Sequence, residues 1–133
     1  MLSYKHGYHA GNQADVLKHI CLIQAYKSLK KHHKSISYID THAGSGDYDF
    51  KSDYMSKNKE YENGISKLEN YKYENQSIKF YLKVLRNINN SKKMTFYPGS
   101  PSIMSYLSDS SDKLLFYELH NNEVKLLRRH LAK

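Results

Sequence analysis

The chain has 133 residues, with 21 Lys and Arg against 13 Asp and Glu, and a formal net charge of +8. That length suits one domain with a real core, though it is small for a doubly wound sheet. The basic surplus fits a nucleic-acid partner, with a basic but inert surface as the open alternative. No apolar stretch reaches the roughly 18 residues a membrane span needs, and the N-terminus has no apolar signal core. The reading is a soluble, cytoplasmic protein with no membrane partner. The single cysteine, Cys21, leaves no internal disulfide framework and no Cys-based zinc site.

Residues 1–11 carry Tyr4, Lys5, His6, Tyr8 and His9 without a periodic pattern, and predict an ordered arm. A His-x-x-His pair falls short of the ligands zinc requires, so no metal is expected. Asn12 is a good N-cap, and Asp15 favours the positive end of the helix that follows. That helix is predicted to run to about Lys31. Val16, Ile20 and Ile23 form one stripe, and Leu22, Ala25 and Leu29 an adjoining one. Lys18 and His19 sit among these positions, where a surface role is the plain expectation.

Ile36 to Asp40 reads as a buried strand, closed by the turn Thr41-His42-Ala43-Gly44-Ser45-Gly46. Glycine there lets the backbone turn sharply and leaves room for a ligand to lie against it. A strand running into such a turn is where nucleotide-binding α/β folds hold their cofactor. It is not a P-loop, because no Gly-Lys-Ser/Thr follows.

Residues 51–93 read as a helical insertion, rich in Lys, Asn, Ser and Tyr. Tyr61, Ile65 and Leu68 suit one helix, and Ile78, Leu82, Leu85 and Ile88 a second, capped by Asn75 and stopped at Asn89-Asn90-Ser91. Several tyrosines lie between lysines and could stack on unpaired bases, or be half-buried helix residues. Met94 to Tyr97 predicts a strand, and Ser100 caps a helix with Pro101 at its first position. Leu114 to Tyr117 predicts another strand, ending in Glu118. Asn121 then caps a last helix bearing Val124, Leu127 and Leu131. A carboxylate at a strand end can accept both hydroxyls of a ribose side by side.

Residues 1–12, Met-Leu-Ser-Tyr-Lys-His-Gly-Tyr-His-Ala-Gly-Asn, and 14–19, Ala-Asp-Val-Leu-Lys-His, resemble the opening of the RlmJ-type 23S ribosomal RNA adenine-N6 methyltransferases. Asp40 to Gly44, Tyr97 to Pro101 and Glu118 to His120 match the same family in order and spacing. The resemblance implies an α/β chain with a partial Rossmann-like class I methyltransferase fold and a small helical insertion at 51–93. It also implies S-adenosyl-L-methionine as cofactor and ribosomal RNA as partner. His19, His42, Ser100 and Glu118 stand at cofactor-contacting positions, with Ala43, Gly44, Ser45 and Gly46 under the donor and Glu118 on the ribose diol. Tyr4 stands where the family faces the RNA, with His6 and Lys18 on the same side.

The family's Asp-Pro-Pro-Tyr motif is absent, since Pro98 and Pro101 are the two prolines. No catalytic residue is therefore assigned. Residues 1–133 read as a single, incomplete methyltransferase domain, the donor-binding N-terminal part of the enzyme. The alternative is a non-catalytic RNA- or S-adenosylmethionine-binding module left by truncation. An unpaired sheet edge would then be open to self-association.

Overall fold

A computed structural model describes residues 5–132. After a 3-10 turn at His6–Tyr8, helix α1 (Gln13–Lys30) leads into β1 (Ser37–Asp40), then β2 (Asp47–Asp49). Helices α2 (Asp53–Asn58), α3 (Ile65–Asn70) and α4 (Gln76–Asn89) follow, and β3 (Phe96–Pro98), α5 (Ser100–Leu107), β4 (Lys113–Phe116) and α6 (Asn121–Leu131) complete the order. β1 pairs parallel with β4, with Ile39 opposite Leu115, and β2 pairs antiparallel with β3, with Tyr48 opposite Tyr97. The fold is mixed α/β with a small parallel sheet.

The local signals explain most of these elements. Asn12 accepts the Asp15 N–H at 2.9 Å, and Asn75 accepts those of Ser77 and Ile78 at 2.9 and 3.2 Å, so both caps work as expected. Asn90 ends α4 with φ of 49°, the left-handed closure that asparagine tolerates. α4 buries Tyr81, Leu82, Val84 and Leu85 against Ile23, Ile65 and Ile103. Each such side chain contributes about 1.5–3 kcal/mol by leaving water, so packing rather than propensity holds the helix.

Five expectations need correction. β1, expected as a buried strand, alternates exposed and half-buried residues, with Ile39 exposed. The face α1 buries is Val16, His19, Ile23 and Tyr26 with Asp15. Ala25 and Leu29 of the adjoining stripe are exposed, because α4 packs against the other side of the helix. The helix drawn through Tyr61 and Leu68 is cut at Gly64 into a 3-10 turn (Glu60–Asn63) and α3. A Cβ at Gly64 would collide with the Gly11 carbonyl, so the chain must break direction there.

Ser100 is inside α5, with Gly99 at the N-cap. The Gly99 N–H donates to the Gly46 carbonyl at 2.6 Å, and the Ser100 hydroxyl turns to Asp40 at 2.6 Å instead of capping. Asn121 lies in the first turn of α6 behind His120, which makes no side-chain cap bond; the His120 N–H donates to Glu118 Oε1 at 2.8 Å. Beyond these, β2 was not foreseen, since Tyr48 is the lone apolar residue of its three.

Candidate functional site

β1 and β4 end side by side, and their continuations form one wall of a cleft. The Tyr117 N–H donates to the Asp40 carbonyl at 2.8 Å, and the Ala43 N–H to the Tyr117 carbonyl at 2.9 Å. One step farther, the Gly44 N–H donates to Glu118 Oε2 at 2.9 Å. Both carboxylate oxygens of Glu118 thus accept a backbone N–H, from Gly44 and from His120. A carboxylate has about four acceptor sites, so two stay open on a side chain already fixed in direction.

The cleft measures about 670 Å³ and is lined by His42, Ala43, Gly44, Ser100 and Glu118 together with His6, Lys18 and His19. Gly44 has φ of +63°, and a Cβ there would collide with the Tyr48 hydroxyl, so this position admits no side chain. Asp40 braces the wall from behind. It accepts the Ser100 hydroxyl at 2.6 Å, the Tyr38 hydroxyl at 3.0 Å and the His42 N–H at 3.0 Å. Burial, then the Asp40 charge, pushes the Tyr38 phenol upward, so it stays a donor.

The opposite wall is built around Asp15, which is buried on α1. Its Oδ2 accepts His6 Nε2 at 2.9 Å and the Gly11 N–H at 3.0 Å, and its Oδ1 lies 2.6 Å from Lys18 Nζ. Burial alone would raise this carboxyl, but the His6 hydrogen bond and the surrounding positive groups outweigh it and hold it well below the usual carboxylate range. His19 is fully buried. Its Nδ1 meets the Tyr97 hydroxyl at 2.8 Å, which meets the Tyr81 hydroxyl at 2.9 Å. Desolvation lowers the His19 pKa to about 4, so its ring is neutral at pH 7.

A family model described as ribosomal RNA large subunit methyltransferase D, RlmJ, matches residues 33–133. This chain belongs to the RlmJ family. It is similar to ribosomal RNA large subunit methyltransferase J of Escherichia coli, 39% identical over 133 residues, covering 100% of this chain and 48% of that protein. The Haemophilus influenzae protein of the same name is 40% identical, with 99% of this chain and 47% of that one covered. A crystal structure of a Legionella pneumophila protein superposes with a TM-score of 0.81 at 35% identity, covering 91% of this chain and 44% of the other. The chain spans about half the length of the curated RlmJ relatives it matches.

Among the described residues, most of the RlmJ-derived site residues meet in this one cleft, and two do not line it. Tyr4 lies outside the described residues. Ser45 and Gly46 support the turn from behind rather than lining the cleft. The Ser45 hydroxyl donates to the Asp47 carbonyl at 2.9 Å, His130 Nδ1 donates to the Ser45 carbonyl at 2.6 Å, and the Gly46 carbonyl receives Gly99.

The cleft also holds residues that sequence reasoning did not single out as site residues. Lys5, Thr41, Tyr48, Gly99, Leu119, His120 and Glu123 line it. Leu119 and His120 already belong to the Glu118–His120 motif, so carrying the site role across the whole motif would have found them. Tyr48 and Glu123 carry no local signal. Among the described residues, no helix is long and apolar enough to cross a membrane, and no group of three or more His, Cys, Asp or Glu could hold a metal.

Proposed function

We propose that this chain carries the donor-binding half of an S-adenosyl-L-methionine-dependent methyltransferase acting on an adenine N6 of 23S ribosomal RNA, within a Rossmann-like framework. The observation that carries the reading is the hydrogen bond from the Gly44 N–H to Glu118. It joins the glycine turn and the strand-end carboxylate at one cleft.

The residues suit the donor. About 670 Å³ is within the usual range for a small-molecule site. Glu118 has open lone pairs for two ribose hydroxyls, Leu119 offers apolar surface to the base, and Gly44 leaves its backbone bare. His19, His42 and Ser100 supply polar contacts beside the turn. When bound, the donor supplies an electrophilic sulfonium methyl group. The chain's own part is to hold and orient: Gly44 and Glu118 fix one end of the ligand, while Lys18, held by Asp15, places positive charge on the side where RNA would enter, with the His6 ring on the same carboxylate. Tyr4 is assigned to that side by family position alone. Positioning of this kind supplies much of the rate of a direct transfer.

Calorimetric titration of S-adenosylhomocysteine into the intact chain tests the reading. A binding isotherm is expected, weakened roughly tenfold or more in Glu118→Ala, the loss of a charge-assisted pair of hydrogen bonds. Equal affinity in the variant, or no heat from the wild type, would overturn it. Methyl incorporation into unmodified ribosomal RNA then separates an enzyme from a module that binds without turnover.

A further inference from the structure

We infer that the outer face of α4, together with Tyr106 of α5, is a second RNA-contacting surface, built to hold the phosphates and one unpaired base of a single-stranded or loop segment. The inference rests on the reading above that RNA is the substrate, and it adds a contact site outside the cleft.

Lys79, Lys83 and Arg86 fall at i, i+4 and i+7 on α4, all exposed. Beyond the left-handed turn at Asn90 the chain doubles back and adds Lys92. Together with Asn87, Asn90 and Ser91 these residues line a concavity of about 650 Å³ that contains no carboxylate. Among the described residues, this face makes an ion pair from Lys79 to Glu74 at 3.5 Å, and the Glu74 side chain is almost wholly in water. Glu69 of α3 senses the Arg86 charge, yet it lines a different cleft. A concave surface of one sign focuses its potential on a polyanion.

Cations alone describe many solvated helix faces. The second observation is aromatic. Tyr106 is 47% exposed, and its hydroxyl accepts the Asn87 side-chain N–H at 2.8 Å. The ring is thereby fixed next to the cationic face, where a free tyrosine would gain nothing from being held. Positive charge for phosphates beside a fixed ring for stacking is the chemistry of unpaired RNA. A paired helix hides its bases from such a ring, and a peptide would not need the four cations. This surface and the cleft share no residue, so an RNA long enough to reach both would bind more tightly than to either alone.

The experiment uses the intact chain and two fluorescein-labelled RNAs, a hairpin with an unpaired loop and a fully paired duplex of equal length, followed by anisotropy across a KCl series. Lys79→Gln/Lys83→Gln/Arg86→Gln is expected to lower affinity for both RNAs roughly tenfold or more near 0.1 M salt. It should also flatten the log–log salt slope by about 2, the loss of three phosphate contacts. Tyr106→Ala is expected to cost about tenfold on the hairpin and little on the duplex.

Both variants should retain wild-type heats with S-adenosylhomocysteine, because the cleft is untouched. Wild-type affinity and slope in the triple variant, equal losses on hairpin and duplex in Tyr106→Ala, or no RNA binding by the unaltered chain would each overturn the inference. A chain that loses RNA in the triple variant but never binds S-adenosylhomocysteine would leave this surface standing and remove the donor reading.

Discussion

At the scale of single residues, the pairing of Gly44 with Tyr48 decides the shape of the cleft. The Gly44 backbone is left-handed, and its missing side chain leaves the space that the Tyr48 hydroxyl fills. Gly44→Ala should therefore destabilise the chain by on the order of 1–3 kcal/mol in urea titration, through backbone strain and overpacking together. In a Tyr48→Phe background the nearest ring atom stands 3.4 Å from the added methyl, an ordinary contact. The same glycine substitution should then cost about 1 kcal/mol less, the strain remaining and the collision gone. Equal costs in both backgrounds would show that the tyrosine hydroxyl is not what the glycine accommodates. The sequence made Gly44 legible, because a glycine after a strand announces a turn. Tyr48 was not legible, since its role depends on β2 folding back over the turn, and nothing within a few residues encodes that return. Asp15 is similar. As a first-turn acid it is an ordinary helix-dipole residue one turn from Lys18, and its hold on His6 appears only when the N-terminal arm is folded.

At the scale of elements, what could be read was what is encoded locally. Asn12 and Asn75 cap because a side-chain oxygen reaches an N–H two or three residues on, and Pro101 marks a helix start whatever surrounds it. The break at Gly64 was not readable, because its cause is the Gly11 carbonyl far away in sequence. That contact docks α3 on the start of α1, where the Ile65 N–H donates to the same Gly11 carbonyl at 2.9 Å. Gly64→Ala should part these elements at a cost on the order of 1–3 kcal/mol. Hydrogen exchange should speed up in α2 and α3 while the β1–β4 amides stay protected, since that sheet shares little with the joint. Uniform loss of protection would mean that α2 and α3 do not open as a unit of their own. Asp112 teaches the same lesson. The sequence around it is a plain polar loop, yet its carboxylate accepts the Tyr26 hydroxyl at 2.6 Å, Lys30 Nζ at 3.0 Å and the Ile36 N–H at 2.8 Å, tying the end of α1 to the start of both parallel strands.

At the scale of the whole molecule, the buried His19 ties stability to pH. Its pKa is lowered, chiefly by burial, to about 4, with Asp15 and Asp40 opposing that shift and Lys18 and His6 reinforcing it. The unfolded chain takes up a proton at about 6.5. Between those two values the unfolded state binds a proton that the folded state does not, so stability falls as pH drops through that window. A gap of this size corresponds to roughly 3 kcal/mol, a large share of the 5–15 kcal/mol typical of a domain. Asp15 adds a loss at still lower pH, because its depressed pKa favours folding only while the unfolded carboxyl is ionised. Acid also adds positive charge to a chain already at +8, and that general repulsion is screened by salt. The His19 contribution is not screened, because the ring is enclosed. Urea unfolding at pH 7.0 and 4.5 in 0.5 M KCl should therefore show a drop of about 2 kcal/mol in the wild type, most of that gap. His19→Asn keeps a partner for the Tyr97 hydroxyl but cannot take up the proton; it should start less stable at pH 7 and lose markedly less on acidification. A variant that tracks the wild type across the window would place the acid sensitivity elsewhere and would leave the Tyr81–Tyr97–His19 chain as packing alone.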